Sequence, residues 1–411
     1  MKNYVWNRAY LYIFNTTLKY VTTRSCRVFR FGRVCILDFL IKGAAGNGKT
    51  ILALTLLKEL NEKGVYITDQ KRDVLQKLHP WIESLPVSFV DIKILGLKST
   101  HVKGEVCVID TIEALESVVS RQVLNELINN FRKVVLVSEG SDRRLDFLCD
   151  GIVHLKKRII EGNYYRYLEI PKLRGIDIQN YHYPFTLHEG TFSVLKTKSV
   201  SLGEFEKVVE ENCLSTGVAD LDNLIGGLSG RDIFTIEFQP NVFKRHVYNF
   251  MKCLTFNSLA NGRGVVIVPF PEVSGVSIKR RFKDAIVVEL QGDLDYDLEM
   301  ILNEMNSARK YSKPTTVEIC LDSVYLNYAP EGNCIKFLST IISNVLENED
   351  LLVFNMGEDS PLRNIIAPVS AAHVKLISSD SGDVFIYGIK PKTRLHCVTY
   401  DDNKIRLIPV S

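Results

Sequence analysis

Short apolar runs alternate with stretches of helical spacing along the first half of the chain. The apolar runs cover residues 34–41, 64–68, 106–110 and 133–139. Residues 51–60 and 115–131 instead carry apolar side chains every three or four positions, which is the period of an amphipathic helix. Strands that alternate with helices predict an α/β fold with a mainly parallel sheet and right-handed crossovers.

The pattern changes to antiparallel hairpins from residue 153 onwards. Two strand-like runs, 153–160 and 164–170, flank the short turn Glu-Gly-Asn, and a second hairpin is predicted within 185–195. The segment that follows, 196–211, is rich in Lys, Ser and Glu, which predicts a linker.

The second half of the chain repeats the landmarks of the first half. The run 264–268 corresponds to 64–68, the run ending at Asp322 corresponds to the run ending at Asp110, and 351–358 corresponds to 134–139. A repeated order of this kind predicts internal duplication. We therefore expect tandem domains with C-terminal antiparallel hairpins. The predicted bounds are a leader 1–33, a first domain 34–195, a linker 196–211 and a degenerate second domain 212–411.

The loop after the first predicted strand carries the most specific chemistry. It fits G-x-x-x-x-G-K-[ST] at every fixed position and lies between a strand and a helix. Glycines let backbone N–H groups turn towards phosphate oxygens, and the following helix adds the positive end of its dipole. The predicted nucleotide-binding residues are Gly43, Ala44, Ala45, Gly46, Asn47, Gly48, Lys49 and Thr50. The sequence therefore predicts a site for ATP and Mg²⁺.

Acidic residues follow two of the predicted strands. Asp110 and Glu139 stand at carboxyl ends, and in a parallel sheet these ends share the edge at which ligands bind. The Thr50 hydroxyl and the Asp110 carboxylate are the predicted Mg²⁺ ligands. Glu139 is a predicted catalytic residue at the same edge.

Length, charge and cysteine content narrow the class of protein. A chain of 411 residues exceeds the usual size of one core, and a net charge of +3 gives no global basic field for nucleic acid. Nine cysteines without a C-x-x-C motif or a Cys/His cluster indicate reduced intracellular thiols. Because the sequence has no run of about 18 uninterrupted apolar residues, we expect a cytoplasmic protein without a membrane partner. The leader 1–33 is basic and lacks acidic residues, which fits an edge strand, a nucleic-acid or acidic-partner arm, or a transit peptide.

These features together resemble the KaiC-like branch of RecA-type ATPases. Residues 214–228 look like the S-T-G entry segment of that branch, and 168–175 with Phe185-Thr-Leu resembles the stretch at its closing hairpin. Within the branch, His79-Pro-Trp and the run 110–115 are similar to archaeal GvpD-type regulators.

The resemblance implies a ring-like homo-oligomer with ATP at its subunit interfaces. Lys172 and Arg174 would then reach the γ-phosphate of a neighbouring subunit, as an arginine finger does. Asp69 stands where these proteins carry the acidic residue that orients the attacking water. Because Asp is one methylene shorter than Glu, we expect hydrolysis to be slow.

The second domain has lost the phosphate loop. Phe238 and Phe243 replace glycines, Arg245 replaces the Mg²⁺-binding hydroxyl, and of the motif only Lys244 remains. We therefore expect one nucleotide site, in the first domain, in a protein that regulates a protein partner or switches assembly. A DNA-repair or recombination ATPase and a non-hydrolysing ATP-dependent interaction protein are the alternatives.

Overall fold

A computed structural model describes residues 37–93, 104–140, 144–174, 178, 180–195, 197, 207–209, 213–311, 314–401 and 404–410. The basic leader 1–33 and most of the predicted linker lie outside the described residues. The described residues form two compact units: those up to 195 together with Val410, and those from 197 to 409.

The first unit is built on one nine-stranded sheet within the described residues. Its strands are β1 (Leu37–Gly43), β2 (Gly64–Thr68), β3 (Val87–Asp91), β4 (Gly104–Ile109), β5 (Phe131–Ser138), β6 (Gly151–Ile160), β7 (Asn163–Leu173), β8 (His182–Thr186) and β9 (Ser193–Val194). Their order across the sheet is β3-β2-β4-β5-β1-β6-β7-β8-β9. The strands from β3 to β6 in this order are parallel, and β7, β8 and β9 continue it as antiparallel hairpins.

Helices cover both faces of this sheet. They are α1 (Lys49–Leu60), α2 (Arg72–Leu78), α3 (Ile112–Glu116), α4 (Arg121–Asn129) and α5 (Arg144–Leu148), with 3₁₀ turns at Pro80–Ser84 and His188–Gly190. On one face Leu52 and Leu57 of α1 join the cluster that contains Ile41. On the other face Leu115 and Leu127 pack with Leu40. The central strand β1 is therefore buried on both sides, as parallel strands usually are.

The second unit repeats this plan. Its strands are β10 (Ile233–Phe238), β11 (Val265–Val268), β12 (Ile286–Val287), β13 (Thr316–Cys320), β14 (Leu351–Gly357), β15 (Ala372–Ser378), β16 (Val384–Lys390), β17 (His396–Asp401) and β18 (Lys404–Pro409). Its helices are α6 (Ala219–Ile225), α7 (Lys244–Ala260), α8 (Gly275–Arg281), α9 (Leu294–Tyr311), α10 (Leu321–Tyr328), α11 (Glu331–Asn348) and α12 (Arg363–Val369). The sheet order β12-β11-β13-β14-β10-β15-β16-β17-β18 matches that of the first unit strand for strand.

This architecture confirms the predicted fold class of tandem α/β units with terminal antiparallel hairpins. The edge strand β3, which is short and only partly buried, was not predicted from the sequence. The tyrosines of the first hairpin are mostly packing residues, since Tyr165 and Tyr167 are buried in the sheet. Within the described part of the chain, no helix is long and apolar enough to cross a membrane.

Candidate nucleotide-binding site

The predicted phosphate loop connects β1 to α1 at the carboxyl edge of the first sheet. Gly46 and Gly48 have φ values of 72° and 92°, a left-handed backbone that side chains with a Cβ rarely adopt. The loop also lies against its neighbours: a Cβ on Gly48 would stand 2.9 Å from a methyl carbon of Leu187. Asn47 Nδ2 donates a 2.8 Å hydrogen bond to the carbonyl oxygen of Leu155 on β6. The loop is therefore fixed from two sides.

The loop lysine is buried and paired. Lys49 is 7% exposed, and its ammonium donates to the carbonyl oxygen of Ala44 at 3.0 Å and to Glu139 Oε1 at 3.1 Å. Glu139 itself is held by Glu113, whose Oε1 accepts hydrogen bonds from the backbone amides of Glu139 and Gly140 at 3.0 and 2.9 Å. Glu113, which was not among the residues predicted from the sequence, thus positions the segment that carries Glu139.

Hydrogen bonding keeps Glu113 ionised. Burial alone would raise the pKa of Glu113, but the hydrogen bonds from the Ser138 hydroxyl and from the backbone amides hold it below its ordinary value. The Ser138 hydroxyl donates at 2.6 Å. The only signal for this role in the sequence is an acidic residue in the first turn of a helix that follows Asp110.

The two predicted metal ligands meet. Thr50 Oγ1 donates to Asp110 Oδ2 at 3.1 Å, and the hydroxyl of Tyr66 donates to the same oxygen at 2.7 Å. Tyr66 is fully buried on β2, and its role at this site was not predicted from the sequence. The sequence signal for this role is a tyrosine inside an otherwise aliphatic buried strand, because a buried hydroxyl needs a hydrogen-bond partner. The next residue, Thr111, has φ 69°, which is uncommon for a β-branched side chain and typical of strain at functional sites.

The environment of Asp110 balances opposing effects. Burial raises the pKa of Asp110, and the nearby Asp69 carboxylate raises it further. The hydrogen bonds from Tyr66 and Thr50 and the charge of Lys49 oppose this rise. The net pKa lies above the ordinary value, so the carboxylate gains from any further positive charge that approaches it.

The three remaining predicted catalytic residues are spread over two edges of the sheet. Asp69 directly follows β2 at the loop edge, and it is exposed. Because β7 runs antiparallel, Lys172 is level with the middle of β1 through its pairing with Ile152, and Arg174 lies further towards the amino end of β1, away from the loop. Lys172 donates to the carbonyl oxygen of Asp146 at 2.6 Å, and Arg174 forms a 2.8 Å ion pair with Asp150.

The equivalent loop of the second unit keeps the path of the turn without the glycines. Phe243, which precedes the lysine, has φ −59° where Gly48 has φ 92°. Lys244 is 46% exposed and pairs with Glu272, and Arg245 is exposed. Phe238 is buried in the core of the unit.

The predicted correspondence between Asp322 and Asp110 is wrong by two residues. Ile109 and Leu40 both pair with Leu136, so they lie level with each other, at the same height across the sheet. The next residue after Ile109, Asp110, is therefore level with Ile41. Cys320 lies level with Ile236, which stands as far before Lys244 as Ile41 stands before Lys49. Asp322 instead lies in the first turn of α10. The mismatch arose because residue spacing alone does not reveal where a strand ends and a helix begins.

The residues of the first unit fit a magnesium nucleotide. A Cβ would obstruct the cradle at Gly43, where it would stand 2.5 Å from the carbonyl oxygen of Leu155. A hydroxyl and a carboxylate within hydrogen-bonding distance of each other are oxygen ligands of the kind Mg²⁺ requires. Among the described residues, no cluster of three or more His, Cys, Asp and Glu suggests another metal.

The fold and this loop define a P-loop protein with tandem RecA-like units. Residues 92–199 match the family described as "ATPase: KaiC", so this part of the chain is similar to KaiC-family ATPases. Curated relatives support this. The chain is 25% identical to protein GvpD1 of Halobacterium salinarum over 200 residues, which is 46% of this chain and 37% of GvpD1. It is 31% identical to protein GvpD2 of the same organism over 169 residues, 37% of this chain and 34% of GvpD2.

A third relative is the circadian clock protein KaiC2 of Synechocystis. It is 24% identical over 235 residues, covering 46% of this chain and 41% of KaiC2. The chain thus spans between about a third and two fifths of the length of the curated relatives it matches. These findings confirm the resemblance to KaiC-like and GvpD-type proteins that the sequence predicted.

Proposed function

We propose that the first unit binds ATP with Mg²⁺, and that nucleotide occupancy switches assembly or the binding of a regulatory partner. The observation that carries this proposal is the meeting of Lys49, Thr50 and Asp110 around a glycine loop at the carboxyl end of β1. The second unit acts as a packing or interaction module, because its loop lacks the left-handed glycines and the metal ligands.

Each residue of the site has a specific task in binding. The loop amides and the Lys49 ammonium bind phosphate oxygens, for which Lys49 gives up its contacts with Glu139 and the Ala44 carbonyl. Thr50 and Asp110 hold Mg²⁺, which when bound neutralises phosphate charge. Tyr66 keeps the Asp110 carboxylate in place by its 2.7 Å hydrogen bond.

In this proposal ATP is hydrolysed slowly. Asp69 orients the attacking water from a short, exposed side chain, and a displacement of about 1 Å can cost on the order of 100-fold in rate. Glu139 is another carboxylate at this edge, and it is paired with Lys49 until the nucleotide takes over that lysine. In this proposal the binding of ATP, more than its hydrolysis, changes the state of the protein.

Lys172 and Arg174 act on the nucleotide of a neighbouring subunit in this proposal. Their place away from the loop of their own chain supports a role in trans. The adjacent helix α5 carries Phe147 and Leu148, which are 80% and 59% exposed. Large exposed apolar side chains beside basic residues are features of protein interfaces.

Calorimetric titration of the full chain with Mg-ATP tests nucleotide binding. We expect Lys49→Ala to weaken binding at least about 100-fold, because it removes a buried cation from the phosphates. Lys244→Ala is the matched control and should leave the affinity unchanged. Equal losses from both variants, or no binding by the unchanged protein, would contradict the proposal.

Mass in solution, measured with and without Mg-ATP, tests the assembly switch. We expect a larger species with nucleotide, and we expect Phe147→Asp to prevent it while leaving Mg-ATP affinity within about twofold, since one exposed side chain away from the loop changes. An unchanged mass on nucleotide addition would refute the assembly switch. Undetectable hydrolysis together with nucleotide-dependent assembly would favour the non-hydrolysing alternative.

A further inference from the structure

The strand β6 passes close to the phosphate loop and continues beyond it. Gly43 pairs with Leu155, and the remaining residues of β6 extend past this level as one arm of the hairpin with β7. The Leu155 carbonyl oxygen accepts the hydrogen bond from Asn47. The strand therefore has a fixed position relative to the loop, and so do the side chains that follow Leu155.

Strand alternation gives the next two lysines opposite directions. Lys156 points away from the face of Leu155 and pairs with Glu169 on β7, at 2.5 Å. Lys157 shares the face of Leu155, because residues two apart in a strand lie on the same side. Its Nζ lies 3.7 Å from the position that a Cβ would take on Gly46. The ammonium thus stands directly over the middle of the phosphate loop.

The space above Gly46 is otherwise open. Among the described residues outside the loop's immediate backbone, the Lys157 ammonium is the only group within 4 Å of that Cβ position. Lys157 is exposed, and no described carboxylate forms an ion pair with it. An unpaired cation over a loop that turns its N–H groups outward is arranged to meet an anion there.

We propose that Lys157 binds the terminal phosphate of the nucleotide, from the same chain that supplies the loop. This inference rests on the proposed ATP site and adds a residue outside the loop motif. Lys49 contacts Ala44, so the outer phosphates that it reaches border the first half of the loop, where Gly46 lies. Lys49 and Lys157 then hold the outer phosphates from two sides.

Titration of full-length variants with Mg-ATP, Mg-ADP and tripolyphosphate tests the inference. We expect Lys157→Gln to weaken binding of ATP and of tripolyphosphate roughly 10- to 100-fold, the range for a hydrogen bond to a charged group. ADP should lose less than about threefold, because its outermost phosphate lies deeper in the loop. Lys157→Arg should restore most of the affinity, since it keeps the charge.

Lys156→Gln is the matched control. It removes the same charge one residue away on the opposite face and keeps a hydrogen-bond donor for Glu169, so nucleotide affinity should stay unchanged. Unchanged ATP affinity in Lys157→Gln, or equal losses in both variants or for ATP and ADP, would overturn the inference while leaving the proposed ATP site intact. Failure of the unchanged protein to bind Mg-ATP would overturn the proposed function, and this inference with it.

Discussion

The two loops that follow β1 and β10 share a turn and differ in the conformation of single residues. The amide of Asn47 donates to the carbonyl of Ala44 at 3.3 Å, and the amide of Val242, at the same place before the lysine, donates to Gln239 at 3.0 Å. In the first loop Gly46 and Gly48 are left-handed, whereas residues 238–243 contain no positive φ. The fold thus survives without the glycines, and what disappears is the concave array of amides.

A second contrast lies in the charges beneath the loops. Lys42 on β1 pairs with Asp146 on α5 in the first unit. At the same place Glu237 on β10 pairs with Arg363 on α12, at 2.9 Å, so the pair has exchanged signs. Because a buried charge of either sign needs a partner of the opposite sign, the exchange keeps the charges compensated, and the pair has a structural role. The metal site shows no such exchange, since Cys320 lies at the position in the second sheet that Asp110 has in the first, and no charge of either sign replaces the aspartate there.

Of the substitutions that test this comparison, Gly48→Ala should have the largest effect. An alanine there is strained at φ 92° and meets the Leu187 methyl groups at 2.9 and 3.0 Å, so the loop must shift. We expect Mg-ATP affinity, measured by calorimetry, to fall at least about 100-fold, because several amide contacts are lost together.

A glycine at a hairpin tip supplies the control for this change. Gly162 has φ 76° and open space around it, so Gly162→Ala imposes similar strain away from the loop and should leave affinity unchanged. The converse substitution Phe243→Gly should create no nucleotide binding in the second unit, since the metal ligands are also missing there. Retained affinity in Gly48→Ala would contradict the role of the left-handed backbone.

Asp110→Asn should produce the next largest effect. The amide keeps an oxygen for the Tyr66 and Thr50 hydrogen bonds but removes the negative charge that favours Mg²⁺. We expect ATP affinity to lose most of its dependence on Mg²⁺ concentration, a loss of roughly 10-fold at millimolar metal. Asp69→Asn is the control: it should slow hydrolysis and leave Mg²⁺-dependent binding in place. Identical behaviour of the two variants would refute the division of roles.

The sequence predicted the parts of this site that one stretch of chain defines. Residues 43–50 carry their own geometry in the glycines, and Asp110 follows a recognisable buried strand. Tyr66, Glu113 and Lys157 were not predicted, because each acts through contacts with a residue distant in sequence: Tyr66 with Asp110, Glu113 with the 138–140 segment, and Lys157 with Gly46. Such roles depend on sheet order, which apolar periodicity does not encode.

The same limit explains the error over Asp322. The run 317–322 has the composition of the run that ends at Asp110, so spacing matched the two aspartates. In the structure the strand ends at Cys320 and α10 begins directly afterwards. Fold class is predictable because it follows from many positions at once, whereas the level of one residue in a sheet depends on pairing with its neighbours.

Glu318 offers a sharper contrast in electrostatics. It lies level with Phe234 in the second sheet, the place that the apolar Val108 takes beside Phe39 in the first. Burial raises the pKa of Glu318 to about 8, although the hydrogen bond from Thr255, at 2.8 Å, opposes the rise. The folded protein therefore keeps a proton that the unfolded chain releases near its ordinary pKa of 4.5.

The contribution of Glu318 to stability should fall as the pH rises from about 5 to 8. Its folded pKa is raised, so the favourable effect is complete below the unfolded pKa and is lost as the pH passes through the folded pKa. Urea unfolding of the protein and of Glu318→Gln at several pH values measures this. The free energy of unfolding of the variant minus that of the unchanged protein should increase by up to about 1.4 kcal/mol for each pH unit in this range. A difference that does not change with pH would refute the protonated state.

Tyr66→Phe is the smallest change and tests whether the metal site depends on β2. Ile267 takes the level of Tyr66 in the second unit, so a side chain without a hydroxyl is compatible with this sheet. Phenylalanine keeps the packing and removes the 2.7 Å hydrogen bond to Asp110, so the free energy of unfolding should fall by about 1–2 kcal/mol.

The pH dependence of ATP binding distinguishes the effect of the Tyr66 hydroxyl on Asp110 from its effect on packing. The Tyr66 hydrogen bond lowers the pKa of Asp110 against the effect of burial, so its loss should raise that pKa further. The pH below which Mg²⁺-dependent ATP binding weakens should therefore move upwards in Tyr66→Phe. Val65→Ala, one residue earlier on the same strand, loses packing on the opposite face and should lower stability without moving that pH. A common shift in both variants would show that general loosening of β2, and not the hydroxyl, sets the charge of Asp110.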